Sequence, residues 1–185
     1  QWHNGSQSES LTYQVIAHDS LFKATFCKAS YWVKTEAYEG KGTVMPNSTQ
    51  YEYQTDVKIY ATPKDGYHLA HWNTGSTADT IYYQVAAKDS NFIAYFEPNL
   101  YTVETSVYES HGTVTQFADK QPFGSVANIV ANPNDGYTFD HWEDKYGNTV
   151  WTTATLNYMV DARDTAFVAH FKPLRYHVTI ITDWS

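Results

Sequence analysis

Hydrophobic and polar residues alternate along most of this chain. Tyr101, Val103, Thr105 and Val107 are separated by Thr102, Glu104 and Ser106. A period of two marks a half-buried strand, because successive side chains point to opposite faces. Ala127, Ile129 and Ala131 continue the pattern, and Pro133, with no N–H to give to a ladder, closes it. Asp135-Gly136 is a turn dipeptide whose glycine supplies a positive φ. Tyr137, Phe139 and His141 then alternate with Thr138, Asp140 and Trp142. Leu156, Tyr158 and Val160 lead through Asp161–Thr165 into Phe167, Ala169 and Phe171, a hairpin pattern. No stretch keeps a 3.6-residue period over a helical length, although one helical turn near Ala86–Asp89 fits. The pattern predicts an all-β fold.

The strands recur. Ala61 to Trp72, ATPKDGYHLAHW, returns as Ala131 to Trp142, ANPNDGYTFDHW, an offset of 70. Tyr31-Trp32-Val33 and Gly42-Thr43-Val44 return at the same offset as Tyr101-Thr102-Val103 and Gly112-Thr113-Val114. Ile81 to Val85 and Phe92 to Phe96 return as Leu156 to Val160 and Phe167 to Phe171, an offset of 75. Five extra residues therefore lie between Trp142 and Leu156, around Tyr146, Gly147 and Trp151. Leu11 to Val15, Phe22 to Phe26 and Trp2 match the back half of a unit, and Tyr176-His177-Val178 restarts one. The chain divides into 1–30, the C-terminal half of a repeat; 31–100, a complete repeat; 101–175, a complete repeat with the insertion; and 176–185, a first strand. Units of ~70 residues are small for a self-sufficient core, so neighbours are expected to lean on each other.

Composition narrows the function. Twelve Lys+Arg against 20 Asp+Glu give a net charge of −8, the wrong sign for a non-specific grip on nucleic acid. No apolar run approaches the ~20 residues of a membrane-spanning helix. The single cysteine, Cys27, allows no internal disulfide, and it aligns with Glu97 and Lys172, an exposed position. Gln1 is not an initiator, and the chain reads as part of something longer.

The run Ala-x-Pro-x-x-Gly-Tyr-x-Phe/Leu-x-x-Trp, closed by Phe-x-Ala-x-Phe-x-Pro and reopened by Tyr-x-Val, resembles the divergent InlB B-repeat family, the Listeria–Bacteroides type of cell-surface repeat. The resemblance covers the whole chain as two full copies and two fragments. Gln54 departs from it, where the family often has the glycine that Gly124 keeps. The resemblance implies tandem small β-grasp-like domains on exported bacterial proteins, with a spacer or adhesion role. It implies an extracellular or cell-surface location and brings no catalytic residues.

Candidate chemistry is sparse. His71-Trp72 and His141-Trp142 suggest a catalytic histidine, but an active site duplicated in each copy is a poor reading. Trp2, Trp72 and Trp142 are instead expected in the core, with Tyr67, Tyr137, Phe92, Phe96, Phe167 and Phe171, because large rings bury the most area. His68, His71, Asp65 and Asp140 have no metal-ligand spacing, and Asp65-Gly66 and Asp135-Gly136 read as turns rather than calcium loops. No cofactor or metal is expected. Asp19-Ser20-Leu21, Asp79-Thr80-Ile81 and Asp164-Thr165-Ala166 resemble a short bacterial O-glycosylation acceptor pattern, which strand–turn chemistry explains equally well. Aromatics that break the repeat carry more information. Trp151 and Tyr146 sit in the insertion, and Trp32 replaces Thr102 and His177. They form the candidate platform for a glycan or glycoprotein; for Trp32 packing at the junction with the preceding unit is the favoured reading, and for Trp151 packing between units is an equal alternative. Edge-strand pairing between molecules through the incomplete terminal repeats is a further expectation.

Overall fold

The computed structural model describes residues 6–14, 18–117 and 120–182. The first unit holds strands β1 (Ser30–Ala37), β2 (Gly42–Met45), β3 (Thr49–Glu52), β4 (Asp56–Pro63), β5 (Tyr67–Trp72), β6 (Thr80–Gln84) and β7 (Ser90–Pro98). They make a four-stranded sheet, β3-β1-β7-β5, and a three-stranded sheet, β2-β4-β6. β1 and β7 run parallel, and the other pairs are antiparallel. A parallel pair needs a long crossover, and here the second sheet lies within that crossover.

The second unit repeats the plan. Its strands are β8 (Leu100–Tyr101), β9 (Val103–Val107), β10 (Gly112–Val114), β11 (Gln121–Pro122), β12 (Val126–Pro133), β13 (Tyr137–Asp144), β14 (Thr149–Trp151), β15 (Thr155–Met159) and β16 (Thr165–Pro173). The larger sheet is β14-β13-β16-β9, the smaller β10-β12-β15, and β11 pairs with β8. Each unit has its own core. Val33, Ile59, Trp72, Val85, Phe92 and Ala94 cluster in the first, and Val103, Ile129, Trp142, Leu156, Phe167 and Ala169 in the second.

Trp72 and Trp142 are wholly buried, at 0% exposure. Their indole N–H groups donate to the carbonyls of Ala78, at 2.7 Å, and Thr153, at 3.1 Å. Phe92, Phe96 and Phe167 are buried, whereas Tyr67, Tyr137 and Phe171 are half-buried. Trp2 lies outside the described residues. Phe139 and Trp142 are three positions apart, so a regular strand would place them on opposite faces. The β13–β16 register shifts between Phe139 and His141, and this bulge lets both rings meet in the core with centroids 5.6 Å apart. β5 has the same shift between Leu69 and His71.

Two sequence expectations take a different form. Ala86–Asp89 is not helical; the Ala86 N–H donates to the Tyr83 hydroxyl instead, at 3.2 Å. Among the described residues the helical turn is a 3₁₀ turn at Tyr38–Gly40. The terminal fragments, expected as strands, form no ladder among their described residues. Residues 18–29 show one isolated bridge, at Ala24, and 174–182 show none. Leu21, Phe26, Tyr176, Val178 and Ile180 are exposed. The alternating pattern is present there, but a strand needs a paired neighbour, and among the described residues of these fragments no ladder forms.

The five-residue insertion has a simple construction. In the first unit, the Trp72 N–H bonds to the Ser76 carbonyl across the turn. In the second, that bond moves outward to the Asp144 N–H and Asn148 carbonyl. The hairpin is two residues longer on each arm, and its register skips Val150 between Trp142 and Glu143.

Two outcomes follow from this packing. Trp142→Ala or Trp72→Ala should destabilise its own unit by about 3–5 kcal/mol, read by denaturant melts; an unchanged midpoint would exclude the indole as the core of the unit. Gln54 adopts φ 65°, as Gly124 adopts φ 75°. Gln54→Gly should therefore raise the melting temperature, relieving a left-handed cost of roughly 1–2 kcal/mol less glycine's larger unfolded-state entropy.

Candidate functional site

Three surfaces combine specific contacts with partial exposure. The first is the joint between the two units, centred on Asn99, between β7 and β8. Its backbone N–H donates to the Gly66 carbonyl at 2.8 Å, and its own carbonyl accepts from the Phe123 N–H at 2.8 Å. Its side chain donates to the Tyr67 carbonyl at 3.3 Å and bonds His68 Nδ1 at 2.9 Å. The Phe123 ring lies so close to Gly66 that a Cβ there would stand 2.5 Å from it. The same ring meets Tyr67 edge-on, with centroids 5.4 Å apart. Gly66 is thus required both for its φ of 84° and for the space above it.

Parts of this joint recur at each end. Tyr53, the counterpart of Phe123, donates its N–H to the Ala29 carbonyl at 2.8 Å. Leu174, the counterpart of Asn99, donates to the Gly136 carbonyl at 2.8 Å. Above Gly136 there is open space, and Tyr137 stacks on His111 at 4.1 Å.

The second surface is a cleft of about 240 Å³ made by the insertion, lined by Tyr146, Trp151, Lys145, Arg163, Tyr158 and Phe167, among others. Trp151 is 40% exposed and meets Phe167 edge-on at 6.1 Å, while Tyr146 is 74% exposed. The Lys145 ammonium lies 5.3 Å from the Tyr146 ring centroid and donates to the Asp164 carbonyl at 3.1 Å. Asp144 caps the turn by accepting from the Tyr146 and Asn148 N–H groups, and these bonds, Asn148's first, hold its carboxyl below its ordinary value. Trp32 is not in this cleft. It lies in the first unit, on a separate open depression with Lys34, Glu36 and Asn91, and its N–H donates to Asp89 at 2.9 Å. The structure therefore brings Trp151 and Tyr146 together and leaves Trp32 apart.

The third surface is a stack of rings on the outer face of β13 and β16. His141 and His170 are cross-strand partners, with centroids 4.5 Å apart and planes within 4° of parallel. Tyr108 covers the other face of His170 at 4.7 Å. His141 Nδ1 bonds the Asp140 carboxylate at 2.9 Å, and Asp140 also accepts from Lys172 at 2.8 Å. Lys172, and then His141, hold the Asp140 carboxyl below its usual range. Glu143 Oε1 lies 3.3 Å from His141 Nε2, and Glu143 Oε2 lies 3.1 Å from His170 Nε2. Burial opposes charge on His141, but hydrogen bonds to Asp140 and Glu143 outweigh it and raise its pKa above the ordinary value. His141, Glu143 and His170 each offer a donor atom to one small space. The hydrogen-bond partners of His141 are two carboxylates, with no nucleophilic hydroxyl or thiol among them.

The family profile for the divergent InlB B-repeat domain matches residues 31–100 and again residues 101–175. The chain belongs to this family. Among solved structures it is similar to streptococcal high identity repeats in tandem, domains 3–4 of a cell surface protein. That similarity has 12% identity, covers 78% of this chain and 99% of the other, and has a TM-score of 0.26, too low to establish a shared arrangement. No curated protein matches.

The two B-repeats differ at the ring stack as well as at the insertion. The first places three rings in the same positions, Tyr38, Tyr95 and His71, with centroids 4.9 Å apart at both contacts; His71 stacks on Tyr95, and Tyr38 is tilted 41° to it. There Asn73 stands in the place of Glu143, Tyr95 in that of His170 and Ala70 in that of Asp140. Asn73 binds the Ile93 N–H and Asn91 carbonyl, both at 3.0 Å, so its role is to hold β7. Sequence reasoning compared His141 with His71 and missed the cluster, because its second histidine matches a tyrosine in the other B-repeat. The signal available was the joint change of three positions on one strand pair.

Proposed function

We propose that the chain is a spacer segment of an exported bacterial cell-surface protein, in which each B-repeat is locked to the next so that the array projects what it carries. The observation that carries this reading is the Asn99 joint. Successive units are tied by the backbone bonds of Asn99 to Gly66 and Phe123 and by a ring-on-glycine contact, with no free linker between β7 and β8. A short ordered connection of this kind removes the slack that a flexible linker would give. The partial recurrence at Ala29–Tyr53 and Gly136–Leu174 supports a connection that is used serially. The role is mechanical, and the reading includes no enzymatic activity, cofactor or nucleic-acid partner.

The test is a shape measurement. Phe123→Ala should leave each repeat folded, by circular dichroism and thermal melting, but broaden the interdomain distance distribution in small-angle scattering or spin-label experiments. A distribution unchanged from wild type would refute the joint as the stiffening element.

The insertion cleft supports a second reading, that the second B-repeat also holds a glycan or glycoprotein. Trp151 and Tyr146 present flat faces beside Lys145, Arg163 and Asp144, the pairing of apolar platform and polar rim that a pyranose requires. A cleft of about 240 Å³ suits a single sugar unit rather than a chain. Glycan-array binding lost in Trp151→Ala supports it, and binding at background in wild type removes it.

A further inference from the structure

We propose that His141, Glu143 and His170 of the second B-repeat form a site for a divalent transition metal of the zinc class. The three residues project from the two most extensively paired strands of the unit, β13 and β16, so the backbone beneath them is fixed on both sides. Their donor atoms lie within 4.8 Å of one another. Ligands at ~2.0–2.1 Å from a tetrahedral ion stand about 3.3 Å apart. Each histidine Nε2 stands at that span from one oxygen of Glu143, His141 3.3 Å from Oε1 and His170 3.1 Å from Oε2, while one donor atom per residue lies within 4.8 Å of the others. Binding needs the two stacked rings to tilt so that both lone pairs converge on one point.

Two further features fit a metal better than an ion pair alone. His170 Nε2 is buried and lacks a hydrogen bond, despite its distance from Glu143. His141 gives its Nδ1–H to Asp140, the carboxylate–histidine arrangement that orients a ligating ring and frees its Nε2 lone pair. Two imidazoles and one carboxylate are the donor set of zinc and its neighbours rather than of calcium or magnesium. Three protein ligands leave one position open to water or an external donor.

The first B-repeat is a natural control, since it keeps the stack and carries no ligand set. Zinc titration of the full chain by calorimetry should show one saturable equivalent, and cobalt should give the visible absorption of a four-coordinate ion. His170→Tyr and Glu143→Asn, each installing the first repeat's residue, should abolish that equivalent while the fold is retained by circular dichroism. Asp140→Ala should weaken binding about 10–100-fold with the cobalt spectrum kept, as expected for a positioning residue. His71→Tyr should change nothing. Absence of a saturable equivalent in wild type, or binding that survives both His170→Tyr and Glu143→Asn, would overturn the site; the latter would assign the ion to other surface histidines.

Discussion

Each unit depends on one buried indole. A domain of this size has little interior, and a tryptophan fills more of it than any other side chain. Placing the ring there constrains the backbone twice. The β5 and β13 strands must bulge one or two residues before the tryptophan, so that Leu69 or Phe139 and the indole share a face. The chain beyond must return with a carbonyl, of Ala78 or Thr153, to accept the indole N–H. The histidine preceding each tryptophan is turned outward by the same geometry. The repeated His-Trp pair is therefore a consequence of core packing, and the outward histidine is left available for other uses.

The joint follows from a similar economy. Gly66 is needed for the left-handed turn after Asp65, and the absence of a side chain leaves a seat for the Phe123 ring. A residue selected by local backbone geometry thus becomes the contact through which one B-repeat meets the next. Asn99 completes the joint by using its backbone and side chain together. At the equivalent position, Leu174 keeps the backbone bond but has no polar side chain, so joints along such an array need not be equally strong.

The two B-repeats show how one scaffold carries different surfaces. Both keep three rings in the same positions, but the second replaces a tyrosine, an asparagine and an alanine with His170, Glu143 and Asp140. The same repeat holds the longer hairpin that creates the Trp151 cleft. The ring-stack changes lie on the outer face, whereas the hairpin adds Val150 and Trp151 at the margin of the core, against Phe167.

The amino-acid sequence alone determined the strands, the repeat and its offsets, and the family, because alternation and glycine-marked turns are local and recur. It also identified Trp72 and Trp142 as ring positions too large to leave exposed. Tertiary structure decided the rest. The bulges that bring Phe139 and Trp142 together depend on the opposing strand, so strict alternation does not reveal them. The terminal fragments carry a strand pattern, but their described residues form no sheet, since a strand exists only where a partner pairs with it. His170 meets His141 and Glu143 through cross-strand register across a long sequence separation. Phe123 finds Gly66 through the relation between units, and no periodicity within one unit encodes that contact.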